Sequence, residues 1–409
     1  MLNNKRNLWI FNHYAVTPDL PGGTRHFDFG KELVKRGYEV TIFASGFQHG
    51  SMRYVRGSFK KDFIVEELDG VRFVWIKTSP YSGNNWKRVI NMLSYSVRAY
   101  NVARKLNIEK PDIIIGSSVH LFAVFTAYLL SKKYKTPFIM EVRDLWPQTL
   151  IDMGMPKWHP FVIVLGVLER LLYKRANKII TLLPKAHEYI EELGIPKNKI
   201  VWIPNGVDLE RFNFSKDDSL KCDKSSFIIT YTGAIGKANN LDILVKAADI
   251  LKTDYPKIKF LVVGEGPEKE RLVRIVREKN LNNIQFNALV PKNEVSKILY
   301  KSDALILLLR NSPLYKYGIS LNKLFDYLAS GKPIIFSSNS INNPVEEAEA
   351  GITVPPDNPE KLAEAIIMLY KMSEEERAEM GRNGRSYVEK YYSIPVLADK
   401  LESVIRSLL

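Results

Sequence analysis

"FIITYTGAIGK", residues 227–237, is a run of β-branched and aromatic side chains that ends in a glycine turn. Such a run reads as a short buried strand, and the turn after it hands the chain to a helix that the spacing starts near Asn240. The same alternation has already run once upstream. "NLWIFN", "EVTIFAS", "VRFVWIK", "PDIIIGSS", "PFIMEV", "KIITLL" and "IVWIP" are β-rich runs of the first half, with helical segments at 26–36, 90–106 and 160–175 between them. After Pro204-Asn205-Gly206 and a polar stretch at 215–226, Phe227 restarts the pattern, and "KFLVVGE", "IQFNALV", "ALILLLR" and "PIIFSS" follow. Strand and helix alternating twice predict an α/β protein of two doubly wound, Rossmann-like parallel sheets facing a cleft.

Length agrees, because 409 residues exceed one ordinary core. With 45% hydrophobic and 25% charged residues, the composition is that of a soluble globular enzyme. The longest apolar run, "FVIVLGVLERLLY" at 161–173, is broken by Glu169 and Arg170 and is too short to span a membrane. The early "LWIF" is too short for a signal peptide. One cysteine, Cys222, excludes an internal disulfide framework and fits the cytoplasm. The net charge of +14 is uneven: residues 1–203 hold 30 Lys and Arg against 17 Asp and Glu, and residues 204–409 hold 29 against 28. An anionic partner is expected for the first half, either a membrane surface or a phosphorylated substrate.

The commonest nucleotide motifs are missing. No Gly-x-Gly-x-x-Gly follows the first strand, "GEGPEK" at 264–269 lacks the third glycine, and there is no phosphate-loop lysine motif. No Asp-x-Asp clamp and no helical histidine pair offers a metal site. A phosphate site without metal or cofactor is therefore expected, and four places could build it. Gly22, Gly23 and Thr24 precede a helix in the first half. Gly233 and Lys237 lie in the turn after the restarting strand, and Gly264, Glu265 and Gly266 lie in the next strand-to-helix turn. The fourth is "YGISLNKLFDYLASGKP", 317–333, where Leu321, Leu324, Phe325, Leu328 and Ala329 form an apolar stripe. Ser320 reads as its N-cap, and Asn322, Lys323 and Asp326 occupy the other face. Three of the four belong to the second half, at the carboxyl ends of its strands, and together they point to a nucleotide diphosphate.

These strings, with "PNGVD" at 204–208, "VGEGPEKERL" at 263–272 and "EVRDLWPQ" at 141–148, make the chain resemble the retaining glycosyltransferases of the two-domain GT-B type. The group contains bacterial glycogen synthase and phosphatidylinositol mannosyltransferase. "EVRDLWPQ" and the 317–333 segment are most similar to the bacterial O-antigen (lipopolysaccharide) branch, with its WbuB-type N-acetylfucosamine transferases. The resemblance implies an acceptor-binding domain at 1–203 completed by a last helix at 393–409, and a donor-binding domain at 204–392. It implies that the helix after "GIS" holds a donor diphosphate, that Lys323 steadies charge on the leaving group, and that Asp326 binds the ribose. The donor would be a UDP-sugar, the acceptor a polyprenyl-diphosphate-linked sugar or other anionic lipid, and the setting the inner membrane face. Attack would come from the front, the acceptor hydroxyl giving its proton to a donor phosphate oxygen.

The chain departs from the family pattern in three places. The first acid of a Glu-x7-Glu pair is replaced by Gly318, with Asp326 in the second place. The Arg and Lys that follow the "TG" turn fall on Ala234 and Asn239, leaving Lys237 as the nearby cation. The usual cleft histidine falls on Ser117, leaving His120 nearby on the acceptor side. Arg143 and Asp144, ending a strand, join the expected catalytic set. The amphipathic segment at 158–176 is expected at the membrane, with Trp158 and Phe161 inserted. "SMRYVRGSFKK", 51–61, reads as a mobile basic loop rather than a stacking platform, which argues against the rival reading of a nucleic-acid-binding module. A sugar-nucleotide epimerase is the rival among enzymes.

Overall fold

Strands form where β-branched and aromatic runs lie between glycine and proline turns, and their burial on both faces explains their continuous hydrophobicity. The computed structural model describes residues 5–57, 59–83, 85–118, 120–213 and 225–409; Cys222 and most of the 215–226 stretch lie outside the described residues. The first sheet runs Ile200–Trp202, Lys178–Thr181, Phe138–Val142, Ile113–Ser118, Arg6–Phe11, Tyr38–Ser45, Val71–Ile76 and Phe63–Leu68. Every neighbouring pair is parallel except the last, which is antiparallel. The second sheet is wholly parallel, in the order Ile284–Asn287, Ile258–Val263, Phe227–Thr232, Ala304–Leu308, Ile334–Ser337 and Gly351–Val354. Strand order reverses beside Arg6–Phe11 in one sheet and beside Phe227–Thr232 in the other. Ligands of open α/β sheets bind outside the carboxyl ends at such switch points. His13 and Gly233 therefore stand at the favoured places.

Helices Trp86–Lys105, Leu121–Tyr134 and Pro160–Arg175 cover one face of the first sheet, burying Tyr95, Val124, Leu165 and Leu172. Arg25–Lys35 and Ile394–Arg406 cover the other, burying Phe27, Leu33, Leu397 and Ile405. The helix Ile394–Arg406 thus packs on the first sheet after the chain has completed the second. The second sheet buries Ile229, Leu244, Phe260 and Ile366 on one side and Leu307, Leu324, Leu328 and Phe336 on the other.

The described residues of the 51–57 stretch are tied to the rest of the first domain. Arg53–Tyr54 pairs with Phe47–Gln48, and Arg56 bonds Glu66 at 2.8 Å and Asp19 at 2.9 Å. Alternating Arg and Tyr hid this because the pairing partners lie upstream and across the sheet. Among the described residues no helix is long and apolar enough to cross a membrane.

One buried acid makes stability pH-dependent. Glu169, on the Pro160–Arg175 helix, accepts from Tyr189 Oη at 3.0 Å. Burial pushes its carboxyl from 4.5 up to about 8, against the pull of Tyr189 and Tyr173. Between these values the native state keeps a proton that the unfolded chain has released. Stability therefore falls as pH rises from about 4.5 to about 8 and levels off outside that window. In urea titrations, Glu169→Gln should flatten this slope; a variant as pH-sensitive as the parent would remove Glu169 as its source.

Candidate active site

The two sheets' carboxyl ends face each other across a cleft of about 980 Å³. Its second-domain wall is built from the turn after Phe227–Thr232. Gly233 has φ +135°, and a Cβ there would come within 2.9 Å of Lys323 Nζ. A Cβ on Gly264 would lie 1.8 Å from the Gly233 carbonyl, so the two glycine turns nest backbone to backbone. Lys269 pins the outer turn by donating to the Gly264 carbonyl (2.9 Å) and to Glu265 (2.6 Å).

Lys323 projects from the first turn of Asn322–Ala329 into this corner. Its ammonium donates to Tyr231 Oη at 2.7 Å and Asn239 Oδ1 at 2.9 Å, and lies 4.4 Å from the Tyr231 ring centre. No carboxylate pairs with it among the described residues. Desolvation brings its pKa down to about 7. Asn239, where the resemblance would place a cation, instead accepts from Lys323. Lys237 is corrected: it is exposed on the short turn Lys237–Asn239 and does not line the cleft.

Ser320 lines the cleft but is not the N-cap. Leu321 precedes the helix, no side chain caps it, and Ser320 Oγ instead accepts from the Asn205 amide at 2.8 Å. The interdomain "PNG" segment competes for that hydroxyl, which no local pattern reveals. Asp326 is buried at the cleft wall and ion-paired with Lys292, a residue the sequence reading missed because it lies on another helix. Gly318 has φ +94°, and a Cβ would meet Pro184 Cγ at 2.6 Å and Asn342 Oδ1 at 2.7 Å. No acid fits in its place.

Gly22, Gly23, Arg143 and Asp144 line the cleft from the first domain, and Asn322, Glu265 and Gly266 from the second. A Cβ on Gly23 would lie 2.6 Å from Asn322 Nδ2, so the domains touch here. Across the mouth, the Lys292 and Asn293 amides donate to the Leu20 and Pro18 carbonyls at 3.2 and 3.1 Å. Thr24 is corrected: it is buried outside the cleft, donating to Asp28 at 2.7 Å and accepting from Arg211.

His120 is also corrected. It is wholly buried and caps its own helix, its Nδ1 accepting from the Ala123 amide at 3.2 Å. That bond leaves the hydrogen on Nε2, which lies 2.8 Å from His13 Nδ1. His13 is then protonated on Nε2, which faces buried Asn91, and it is His13 that lines the cleft. Burial takes His120 down to about 3, and burial followed by the His120 charge holds His13 well below its usual range, so both are neutral near pH 7.

Beneath them, Arg25 Nε bonds Glu141 at 2.9 Å while its other nitrogens donate to the carbonyls of Pro204 (2.5 Å) and Ile203 (2.9 Å). Ser117 donates to Glu141 at 2.8 Å. Burial opposes charge on Glu141, but Arg25 and His26 outweigh it and hold the carboxyl well below its usual range. The "EVRDLWPQ" string thus contributes an anchor, Glu141, as well as the cleft pair Arg143 and Asp144.

Family models match both halves of the chain: Glycosyltransferase Family 4 over residues 22–211 and Glycosyl transferases group 1 over residues 213–387. A candidate colanic acid biosynthesis glycosyl transferase of Escherichia coli K12, WcaI, is 23% identical over 86% of this chain and 89% of its own. Sucrose-phosphate synthase from Thermosynechococcus elongatus superposes with a TM-score of 0.77 at 18% identity, covering 99% of each chain. Anabaena Alr3699/HepE in complex with UDP and glucose gives 0.70 at 12% identity, over 99% of this chain and 100% of that one. Fold, paired family models and a cleft at both switch points agree: the chain has the two-domain architecture of the GT-B glycosyltransferases, its first half similar to Glycosyltransferase Family 4 and its second to Glycosyl transferases group 1.

Proposed function

We propose that the chain is a retaining glycosyltransferase of bacterial surface polysaccharide synthesis that takes its sugar from a UDP-sugar, an N-acetylated deoxyhexose being one candidate sugar. The observation that carries this reading is the Lys323 ammonium, held by neutral oxygens beside the Gly233 turn and the uncapped start of the Asn322–Ala329 helix. A desolvated cation and helix-start amides without an internal anion suit a diphosphate. Asp326, steadied by Lys292, accepts from the ribose hydroxyls. The bond between anomeric carbon and diphosphate oxygen breaks as the acceptor oxygen bonds to the same face, and the acceptor proton passes to the departing phosphate. Arg143 and Arg88, both lining the cleft, face the acceptor, a polyprenyl-diphosphate-linked sugar or other anionic lipid reached at the inner membrane face. The polysaccharide role is supported by the likeness to WcaI, and the UDP donor by the ligands of HepE.

Calorimetry with UDP in excess chelator tests the donor site. Binding should persist, since amides and Lys323 meet the phosphates, and Asp326→Asn should weaken it about tenfold through lost ribose hydrogen bonds. Failure to bind UDP with or without magnesium would overturn the reading, and binding that vanishes in chelator would overturn its metal-independence.

A further inference from the structure

The helices Trp86–Lys105, Leu121–Tyr134 and Pro160–Arg175 lie side by side on one face of the first sheet. Each follows a strand of the parallel set, so their amino-terminal halves gather toward the cleft. An outward helix face of a soluble domain is ordinarily polar. Here it is apolar near the cleft. Trp86, Ile90, Leu93 and Val97 recur at spacings of four, three and four opposite the buried Met92, Tyr95, Ala99 and Val102, and Trp86 is 67% exposed. Ile163, Val164 and Val167 repeat the pattern on the Pro160–Arg175 helix, with Trp158, 76% exposed, just before it. Phe161 does not share this face, because it is partly buried and packs toward Phe122.

Charge follows the same axis. The three helices carry 10 Lys and Arg, and their one acid, Glu169, is buried and held protonated near pH 7. Arg98, Arg104, Lys105, Lys132, Lys133, Arg170, Lys174 and Arg175 lie toward the ends away from the cleft. The helices on the opposite face of the same sheet carry acids freely: Asp28 and Glu32 on one, Asp399 and Glu402 on the other. A composition that was merely lysine-rich would not separate by face.

We infer that this three-helix face is a docking surface for an anionic lipid bilayer, with the apolar stripes at the headgroup boundary and the basic ends on lipid phosphates. Resting on the reading of a lipid-borne acceptor, it adds where that lipid lies. Arg88, one turn into the helix that Trp86 begins, lines the cleft, so an acceptor headgroup passes Trp86 to reach it while its chain stays along the stripe. Apolar burial and electrostatic attraction act together at such a surface, and neither suffices alone.

The test uses the full chain with vesicles of phosphatidylcholine alone or mixed with phosphatidylglycerol, read by flotation, alongside UDP calorimetry. The parent should float with the mixed vesicles, less as salt rises, and not with phosphatidylcholine alone. Trp86→Ser with Val97→Ser, both outside the cleft and on exposed positions, should lower vesicle affinity about tenfold or more while leaving UDP affinity unchanged. Flotation equal in parent and variant would overturn this face yet leave a membrane acceptor standing. Absence of flotation, or a parent dimer that the double variant dissociates, would overturn the bilayer as occupant. Neither outcome touches the UDP reading, which fails only if UDP does not bind.

Discussion

Lys323→Ala lowers turnover at saturating donor by about 2–4 kcal/mol of transition-state stabilisation, roughly thirty- to a thousandfold, with the fold intact. The side chain is half-buried and its ammonium makes hydrogen bonds to Tyr231 and Asn239 without a counter-ion. Its removal leaves neutral groups that can bond water at the open cleft, so the penalty falls on catalysis. The same desolvation gives a second readout. With a pKa near 7, the free lysine is largely neutral at pH 8, and a bound diphosphate raises that pKa. UDP binding at pH 8 should then take up most of a proton, seen by calorimetry in buffers of different ionisation heat, and Lys323→Ala should abolish the uptake. Near-parental turnover, or unchanged proton uptake, would reject the role. For stability the sign is the reverse of Glu169: the unfolded lysine holds its proton to 10.5, so this group favours the native state more as pH rises from about 7 toward 10.5.

Arg25→Ala costs the largest stability, about 3–5 kcal/mol in chemical denaturation, because it strands Glu141 as a buried charge and unpairs two carbonyls. Arg25 and Glu141 side chains are 2% and 5% exposed. The exposed pair of Lys35 with Glu210 at 3.3 Å is the internal contrast; Lys35→Ala should cost no more than about 1 kcal/mol. Equal effects at the two sites would show that water reaches Glu141 in solution.

The parts of this molecule written by local pattern were legible. Strands such as "FIITYT" and "KFLVV" announce themselves by uninterrupted β-branched residues, and glycine turns mark where the backbone must approach closely. The edge strand Phe63–Leu68 escaped because its half-exposed glutamates read as loop, although they pair antiparallel with Val71–Ile76. What joins distant segments was not legible. Lys292 reaches Asp326 across 34 residues, and Arg25 reaches Glu141 across 116. His13 is the clearest case: the tautomer of an ordinary histidine after a strand is fixed by His120, far downstream. Lys237 shows the converse error, since nearness in sequence to a glycine turn says nothing about which way a side chain points.

The return of Ile394–Arg406 to the first sheet sets an order on synthesis. The strands from Arg6 to Trp202 emerge from the ribosome well before the helix that joins Arg25–Lys35 in covering the face of Ile10, Ile42 and Ile115. The second domain, contained within a single uninterrupted stretch, can close while that face still waits. For this chain the usual rule that amino-terminal domains finish folding first is inverted. A nascent chain paused just before Ser393 would therefore present a half-covered apolar sheet face to chaperones, and would shed them only when the fourteen residues through Arg406 arrive.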